Sequence, residues 1–190
     1  MQSAFWPLPG LVVGVPILAW KVMTTAKTTR FSVGNPKPVW QLVGIGLLIG
    51  APLALVALTM AAVAGTVLVT PIRWPSPIPL AIGLPAVALL NASVEEFIWR
   101  YALLDRLLAT GLTFMPCILL QALSFGIPHW SGLPSGWIGV GGALTLGVIL
   151  GGLTIRTRSI LPAIVAHTLV DLSLFWYVVN HGLLGGVRAG

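Results

Sequence analysis

The residues best suited to chemistry in this chain are a few ionisable side chains that interrupt long apolar runs. Only four of the 190 residues are acidic. Two of them, Glu95 and Glu96, stand side by side in NASVEEFIWR, after an uncharged run that begins at Pro75. A positioned carboxylate can act as a general base, and a nearby histidine can hold a water or carry a proton. The candidates for such chemistry are Glu95, Glu96, Arg100, His129, His167 and Asp171.

The spacing of the first three candidates gives the two glutamates different roles. On a helix Glu96 and Arg100 are i and i+4, so they share a face and can form an ion pair. Glu95 lies about 100° round the helix and remains an acceptor without a cation of its own. Asn91, one turn earlier, could orient it. The simpler alternative is a structural Glu96–Arg100 pair beside a carboxylate that has no role.

The histidines lie on later apolar segments, and His167 and Asp171 again have i, i+4 spacing. A single histidine on an apolar helix is more often structural than functional. At ~1.5 Å rise per residue, however, Glu95 and His129 both lie roughly 25 Å from a turn near Gly111. His167 reaches a similar depth on its own segment. We therefore predict that Glu95, His129 and His167 line one hydrated cavity.

The elements that position these residues must be membrane helices. The chain is 57% hydrophobic and 7% charged, with a mean hydropathy of +0.99, whereas soluble domains are about 25% charged. Its pI of about 10.5 does not indicate nucleic-acid binding, because the basic residues lie between apolar runs instead of forming one patch. Cys117 is the only cysteine, which excludes a disulfide within the chain.

Hydropathy predicts an all-α, multi-pass transmembrane bundle, since only helices satisfy their own backbone polar groups in lipid. Pro52 lies within the second and longest apolar run, where a kink or a re-entrant segment would change the number of spans. We expect a single integral-membrane domain over 1–190, with a motif-bearing core at 80–180. The predicted spans number about six and lie near 4–22, 40–66, 80–104, 113–129, 137–155 and 160–180.

Basic loops favour the cytoplasmic side, and this topology separates the basic residues unevenly. Arg73 and Arg188 fall on one side, which predicts that both termini are non-cytoplasmic, in the plasma (inner) membrane. Asp105 is expected at the cytoplasmic boundary, exposed to solvent. The basic residues on the predicted cytoplasmic side are Lys21, Lys27, Arg30, Lys37, Arg106, Arg156 and Arg158.

Three motifs on separate apolar segments carry a family resemblance. EEFIWR is E-E-x-x-x-R, FGIPH is F-x-x-x-H and HTLVD is H-x-x-x-D. In this order, they resemble the CAAX prenyl protease and bacteriocin-processing (Abi) family over residues 95–171. The resemblance implies an intramembrane endopeptidase with a polar cavity inside the membrane.

The resemblance also implies a role for each motif residue. Glu95 would be the base that activates water, and Glu96 and Arg100 would support it. His129 would help to hold the water. His167 and Asp171 would take the place of an oxyanion-stabilising or metal-associated pair.

Position 171 differs from the eukaryotic-type members, which commonly carry Asn there. An anionic Asp171 cannot donate a hydrogen bond to an oxyanion, so it would either fix His167 as a donor or belong to a metal shell. Zinc, held by Glu95, His129 and His167, is one alternative. No H-E-x-x-H motif is present, and a metal-free mechanism is equally tenable.

The sequence thus predicts a glutamate- or metal-dependent endopeptidase that acts within the lipid bilayer. Its substrates would be membrane-proximal peptides, leader peptides or segments of small membrane proteins, and no nucleic-acid partner is expected. The alternative is a non-enzymatic membrane protein, either a proton-coupled transporter or a bacteriocin-immunity or scaffold factor, that uses the same charges.

Overall fold

The computed structural model describes residues 37–64, 77–132 and 134–187 of the chain. The described elements are helical, with no strand among them. The all-α prediction is confirmed, whereas the predicted span at 4–22 lies outside the described residues. In chain order, the helices are α1 (Val39–Ala64), α2 (Pro77–Glu96), a π-helical segment (Phe97–Leu104), α3 (Asp105–Ala109), α4 (Phe114–Gly126), a 3₁₀ segment (Ile127–Ser131), α5 (Gly136–Thr157) and α6 (Leu161–Val187).

Four of the described helical stretches are long and apolar enough to cross a membrane, which confirms a multi-pass protein. They are Val39–Val63, Ala81–Ala109, Gly136–Thr157 and Leu161–Asn180. The second of these is continuous through α2, the π-helical segment and α3, so it extends past the predicted end at residue 104.

The span predicted at 113–129 takes a different form from the other described spans. Its α-helix, α4, has only 13 residues, or ~20 Å at ~1.5 Å per residue. The chain then continues as the 3₁₀ segment that carries His129. Pro128 lies in this segment and has no backbone N–H to donate, which favours the end of the α-helix there. His129 is therefore presented by a non-α segment, not by the interior of a long helix.

Helix α6 is the centre of the described bundle and packs against α1, α2 and α5. Its contact with α1 is close because Gly46 and Gly50 face it. A Cβ atom at Gly46 would lie 2.6 Å from Val165 Cβ, and one at Gly50 would lie 2.6 Å from Ala166 Cα. Small residues at such spacing let membrane helices approach closely. This packing fixes the position of α6, which carries His167 and Asp171.

The bundle exposes large apolar side chains and buries charged ones, as expected of a protein surrounded by lipid. Large apolar side chains such as Leu48 and Val63 are exposed, whereas Glu96 and Arg100 are fully buried. Asp105 is also buried, at 5% exposure, so the expectation that it is solvated at a boundary was wrong. The physical reason is the continuation of the helix beyond residue 104, which keeps Asp105 inside the bundle instead of in a loop.

Candidate active site

The first part of the site is the Glu96–Arg100 ion pair at the junction of α2 and the π-helical segment. Arg100 Nη1 donates to Glu96 Oε1 at 2.7 Å, and both side chains are fully buried. The i, i+4 pairing predicted from the sequence is present. The π-helical conformation itself was not predicted, because no residue in FIWRYALL has a strong preference for it. Such wide turns are rare and often lie at functional sites.

His167 of α6 brings the two glutamates and Asp171 into one cluster. Its Nδ1 lies 2.7 Å from Glu96 Oε1, the same oxygen that accepts from Arg100. Its Nε2 lies 3.6 Å from Glu95 Oε2 and 3.5 Å from Asp171 Oδ1. Because a carboxylate can only accept, the Nδ1 proton of His167 is directed at Glu96. Glu96 therefore orients His167 and leaves its Nε2 facing the other two carboxylates.

Asn91 is the polar link between Glu95 and Asp171. Its Nδ2 donates to Asp171 Oδ2 at 2.9 Å and to Glu95 Oε1 at 3.4 Å. The sequence predicted the contact with Glu95, which lies one turn away. It did not predict the contact with Asp171, 80 residues later. Asn91 thus holds two carboxylates side by side, a geometry that repulsion between them would otherwise oppose.

His129 lines the same cavity as His167 and Asp171, but its ring is held by a hydrogen bond within its own segment of the chain. Its Nδ1 lies 2.8 Å from the carbonyl oxygen of Phe125, so Nδ1 carries the proton and Nε2 is free to accept. The Phe125 ring touches both histidines, with centroids 4.7 Å from His129 and 5.8 Å from His167. Arg100 Cζ also lies 4.7 Å from this centroid. Sequence reasoning missed Phe125 as the shared contact, although F-x-x-x-H placed it one turn before His129.

A cavity of about 550 Å³ adjoins these side chains. His129, His167 and Asp171 line it together with apolar residues of α1, α5 and α6. Glu95 is not among the lining residues; its Oε2 lies 3.6 Å from His167 Nε2, and its side chain is 18% exposed. The structure therefore brings His129 and His167 to one cavity, while Glu95 meets that cavity through its neighbours His167 and Asp171.

The donor arrangement does not form a metal site among the described residues. No group of three or more His, Cys, Asp or Glu side chains there is placed to hold an ion, and this includes the set Glu95, His129 and His167. The Nδ1 proton of His167 is directed at Glu96 and that of His129 at a backbone carbonyl. In each neutral ring this leaves Nε2 as the nitrogen without a proton, as it is in metal-bound histidines, so what speaks against zinc is the lack of a three-ligand group among the described residues.

A buried side-chain hydrogen bond joins α4 to α5 ahead of the segment that carries His129. Gln121 is fully buried, and its Nε2 donates to the carbonyl oxygen of Gly147 at 2.7 Å and to that of Ile118 at 3.1 Å. A buried amide that donates across a helix interface stabilises one register of the two helices. Nothing in the sequence separated Gln121 from an ordinary polar residue.

The fold and the site together define an integral membrane protein with a buried carboxylate–histidine centre. Residues 77–173 match the type II CAAX prenyl endopeptidase Rce1-like family, and this match spans about half of the chain. The chain belongs to this family and is a CAAX-type intramembrane endopeptidase. The matched region contains all six candidate residues. No curated protein and no solved structure matches the chain.

Proposed function

We propose that the protein hydrolyses a peptide bond in a membrane-proximal or small membrane-peptide substrate, with Glu95 as the base that activates water. The observation that carries this proposal is the difference between the adjacent glutamates. Glu96 Oε1 accepts from both Arg100 and His167. Oε2 of Glu95 and Oε2 of Glu96 are both buried and accept no hydrogen bond from the described residues, but Glu95 Oε1 accepts only a long bond of 3.4 Å from the neutral amide of Asn91, whereas Glu96 is paired with Arg100. A free acceptor beside a histidine is what a general base requires.

In the proposed reaction, Glu95 takes a proton from a water whose oxygen attacks the scissile carbonyl carbon. The carbonyl oxygen then carries a negative charge in a tetrahedral intermediate. The proton passes to the amide nitrogen as the carbon–nitrogen bond breaks, which releases an amine and a carboxylate. His129 supports this step because its Nε2 is an acceptor, so it can hold the attacking water or relay the proton.

His167 is the proposed partner of the oxyanion. Since its Nδ1 proton is directed at Glu96, its Nε2 can donate only from the doubly protonated ring. Three carboxylates lie within 3.6 Å of the His167 ring, and Arg100 pairs with one of them, Glu96. A protonated His167 would balance one further negative charge. Asp171, 3.5 Å from Nε2 and bonded to Asn91, supports the role of fixing His167.

The remaining parts of the proposal concern the whole chain. We propose one integral-membrane domain over residues 1–190, in the plasma (inner) membrane, with both termini non-cytoplasmic. Reporter fusions at each terminus test the topology. Active reporters on the cytoplasmic side would contradict it.

The test uses the full chain in detergent and in proteoliposomes. An internally quenched peptide with a prenylated CAAX terminus is compared with the same peptide without the prenyl group. In ¹⁸O-labelled water, cleavage should place one ¹⁸O in the new carboxylate. Cleavage of the prenylated peptide alone would add a lipid requirement to the proposal.

The alternative of a proton-coupled transporter predicts a different result in the same proteoliposomes. A proton flux that Glu95→Gln abolishes, without cleavage of either peptide by the wild-type chain, would replace the peptidase proposal. A scaffold or immunity factor would show neither activity, and Glu95→Gln would then leave its function intact.

A further inference from the structure

The 3₁₀ segment that carries His129 lies directly on α5, at Gly139. A Cβ atom at Gly139 would lie 2.7 Å from the carbonyl oxygen of His129 and closer still to that of Pro134. Both obstacles are backbone atoms, which cannot rotate away as the end of a side chain can. Gly139 is buried. Any larger residue here must therefore displace the backbone of His129 or of Pro134.

A second close approach lies at the start of the same segment. Gly126 is the last residue of α4, and a Cβ atom there would lie 3.1 Å from Leu144 Cβ and 3.2 Å from the carbonyl oxygen of Val140. These distances require a shift of a few tenths of an ångström, a milder demand than at Gly139. Gly126 directly precedes the His129 segment and Gly139 of α5 faces its middle residue, so the segment lies close to α5 at its start and at His129.

We infer that Gly139 is a positioning residue for His129, and that Gly126 assists it. The bare backbone of α5 lets the 3₁₀ segment sit close enough to place the imidazole on the cavity wall. Among the described residues, no side chain forms a hydrogen bond with the His129 imidazole. The ring bonds instead to the backbone carbonyl oxygen of Phe125. The close fit of the backbone therefore orients His129, as the hydrogen bond to Glu96 orients His167. The kinetic consequence of this inference rests on the proposed function, whereas its structural consequence does not.

The structural arm follows the histidine ring protons by NMR in detergent micelles. The chain has three histidines, so His→Gln variants assign the signals. The His129 and Phe125 rings meet edge to face, with centroids 4.7 Å apart. The chemical shift of the His129 ring protons therefore depends on where that ring lies relative to Phe125. Gly139→Ala should move the His129 signal strongly, Gly126→Ala should move it slightly, and both should leave the His167 signal in place. Gly152→Ala is the control, since a Cβ there meets nothing within 4 Å.

The kinetic arm measures cleavage of the quenched peptide by the same variants. A misplacement of about 1 Å in an active site can lower the reaction rate ~10²-fold. We therefore expect kcat to fall by about that factor in Gly139→Ala and by less in Gly126→Ala. KM should change little, and Gly152→Ala should match the wild type. If Gly139→Ala does not fold, Gly126→Ala carries both arms.

The two failures are distinguishable. A His129 signal that stays in place in the folded glycine variants overturns the positioning role, whatever the activity. A folded variant in which the His129 signal moves while kcat stays unchanged contradicts the proposed role of His129 in the reaction and leaves its positioning by Gly139 standing. If the wild-type chain cleaves neither peptide, the proposed function is overturned and the NMR result still stands.

Discussion

The two histidines of the site are held in opposite ways. His167 is 2% exposed and surrounded by charged side chains from α2 and from its own helix. His129 is half-buried, sits in a 3₁₀ segment and bonds to the carbonyl of its own preceding turn. The same residue type is thus fixed in one place by electrostatics and in the other by backbone shape. Different substitutions should therefore disturb each region.

The largest expected effect is on the charge-held region, from Arg100→Ala. This change leaves Glu96 buried without its cation, and breaking such a pair costs about 3–5 kcal/mol. Thermal unfolding in detergent checks it, with Arg156→Ala, an exposed arginine on α5, as the control. An unchanged Tm for Arg100→Ala would show that the ion pair does not stabilise the protein. In a variant that still folds, the NMR signal of His167 should shift while that of His129 moves less.

Asn91→Ala should have the next largest effect, on turnover. It removes the donor shared by Glu95 and Asp171 and leaves their carboxylates side by side. An unpaired buried polar group costs about 1–3 kcal/mol of stability. Because the same change also lets the proposed base move, we expect kcat to fall roughly 10-fold or more. Ser93→Ala is the control, because Ser93 bonds only to its own helix at Leu89. Equal kcat values for the two variants would show that Asn91 does not organise the carboxylates.

Phe125→Leu tests whether the two regions are independent. The ring contacts Arg100, His129 and His167, and aromatic and cation–π contacts contribute about 0.5–2 kcal/mol each. We expect a stability loss of about 1–3 kcal/mol and shifts in the NMR signals of both histidines. Because loss of the ring current alone shifts both signals, the stability decides: a loss below about 0.5 kcal/mol would mean that charge and backbone contacts place the two histidines without the ring.

Cys117→Ser should have the smallest effect on activity. Cys117 is fully buried in an apolar cluster with Leu104 and Leu108, away from both histidines. A serine there costs some stability, because its hydroxyl is buried. The rate of peptide cleavage should stay near that of the wild type. A large fall in kcat without loss of fold would point to thiol chemistry.

The contrast between the regions also explains what the sequence could predict. Helical spacing places Glu96 with Arg100 and Asn91 with Glu95, because these pairs lie one turn apart. The contact between Glu96 and His167 joins residues 71 positions apart. It depends on the register between α2 and α6, which no local pattern encodes. The sequence therefore assigned Glu96 to Arg100 alone.

The grouping of the two histidines was easier to predict than the setting of each residue. Counting residues from the turns predicted that Glu95, His129 and His167 line one cavity, which is right for the two histidines and wrong for Glu95, which is not among the lining residues. It could not predict the π-helical segment, the short α4 or the burial of Asp105. These features depend on how the helices pack around α6. The fit of Gly139 against the His129 backbone also depends on packing, and glycine is too common in membrane helices to mark it.

The most direct test of the account compares the two adjacent glutamates by measuring both kcat and Tm for Glu95→Gln and Glu96→Gln. We expect Glu95→Gln to lower kcat by about 10²–10⁴-fold, the usual contribution of a general base, with little change in Tm. Glu96→Gln should lower Tm, because it removes the charge that Arg100 and His167 share. Unchanged peptide cleavage by a correctly inserted Glu95→Gln variant would contradict the account.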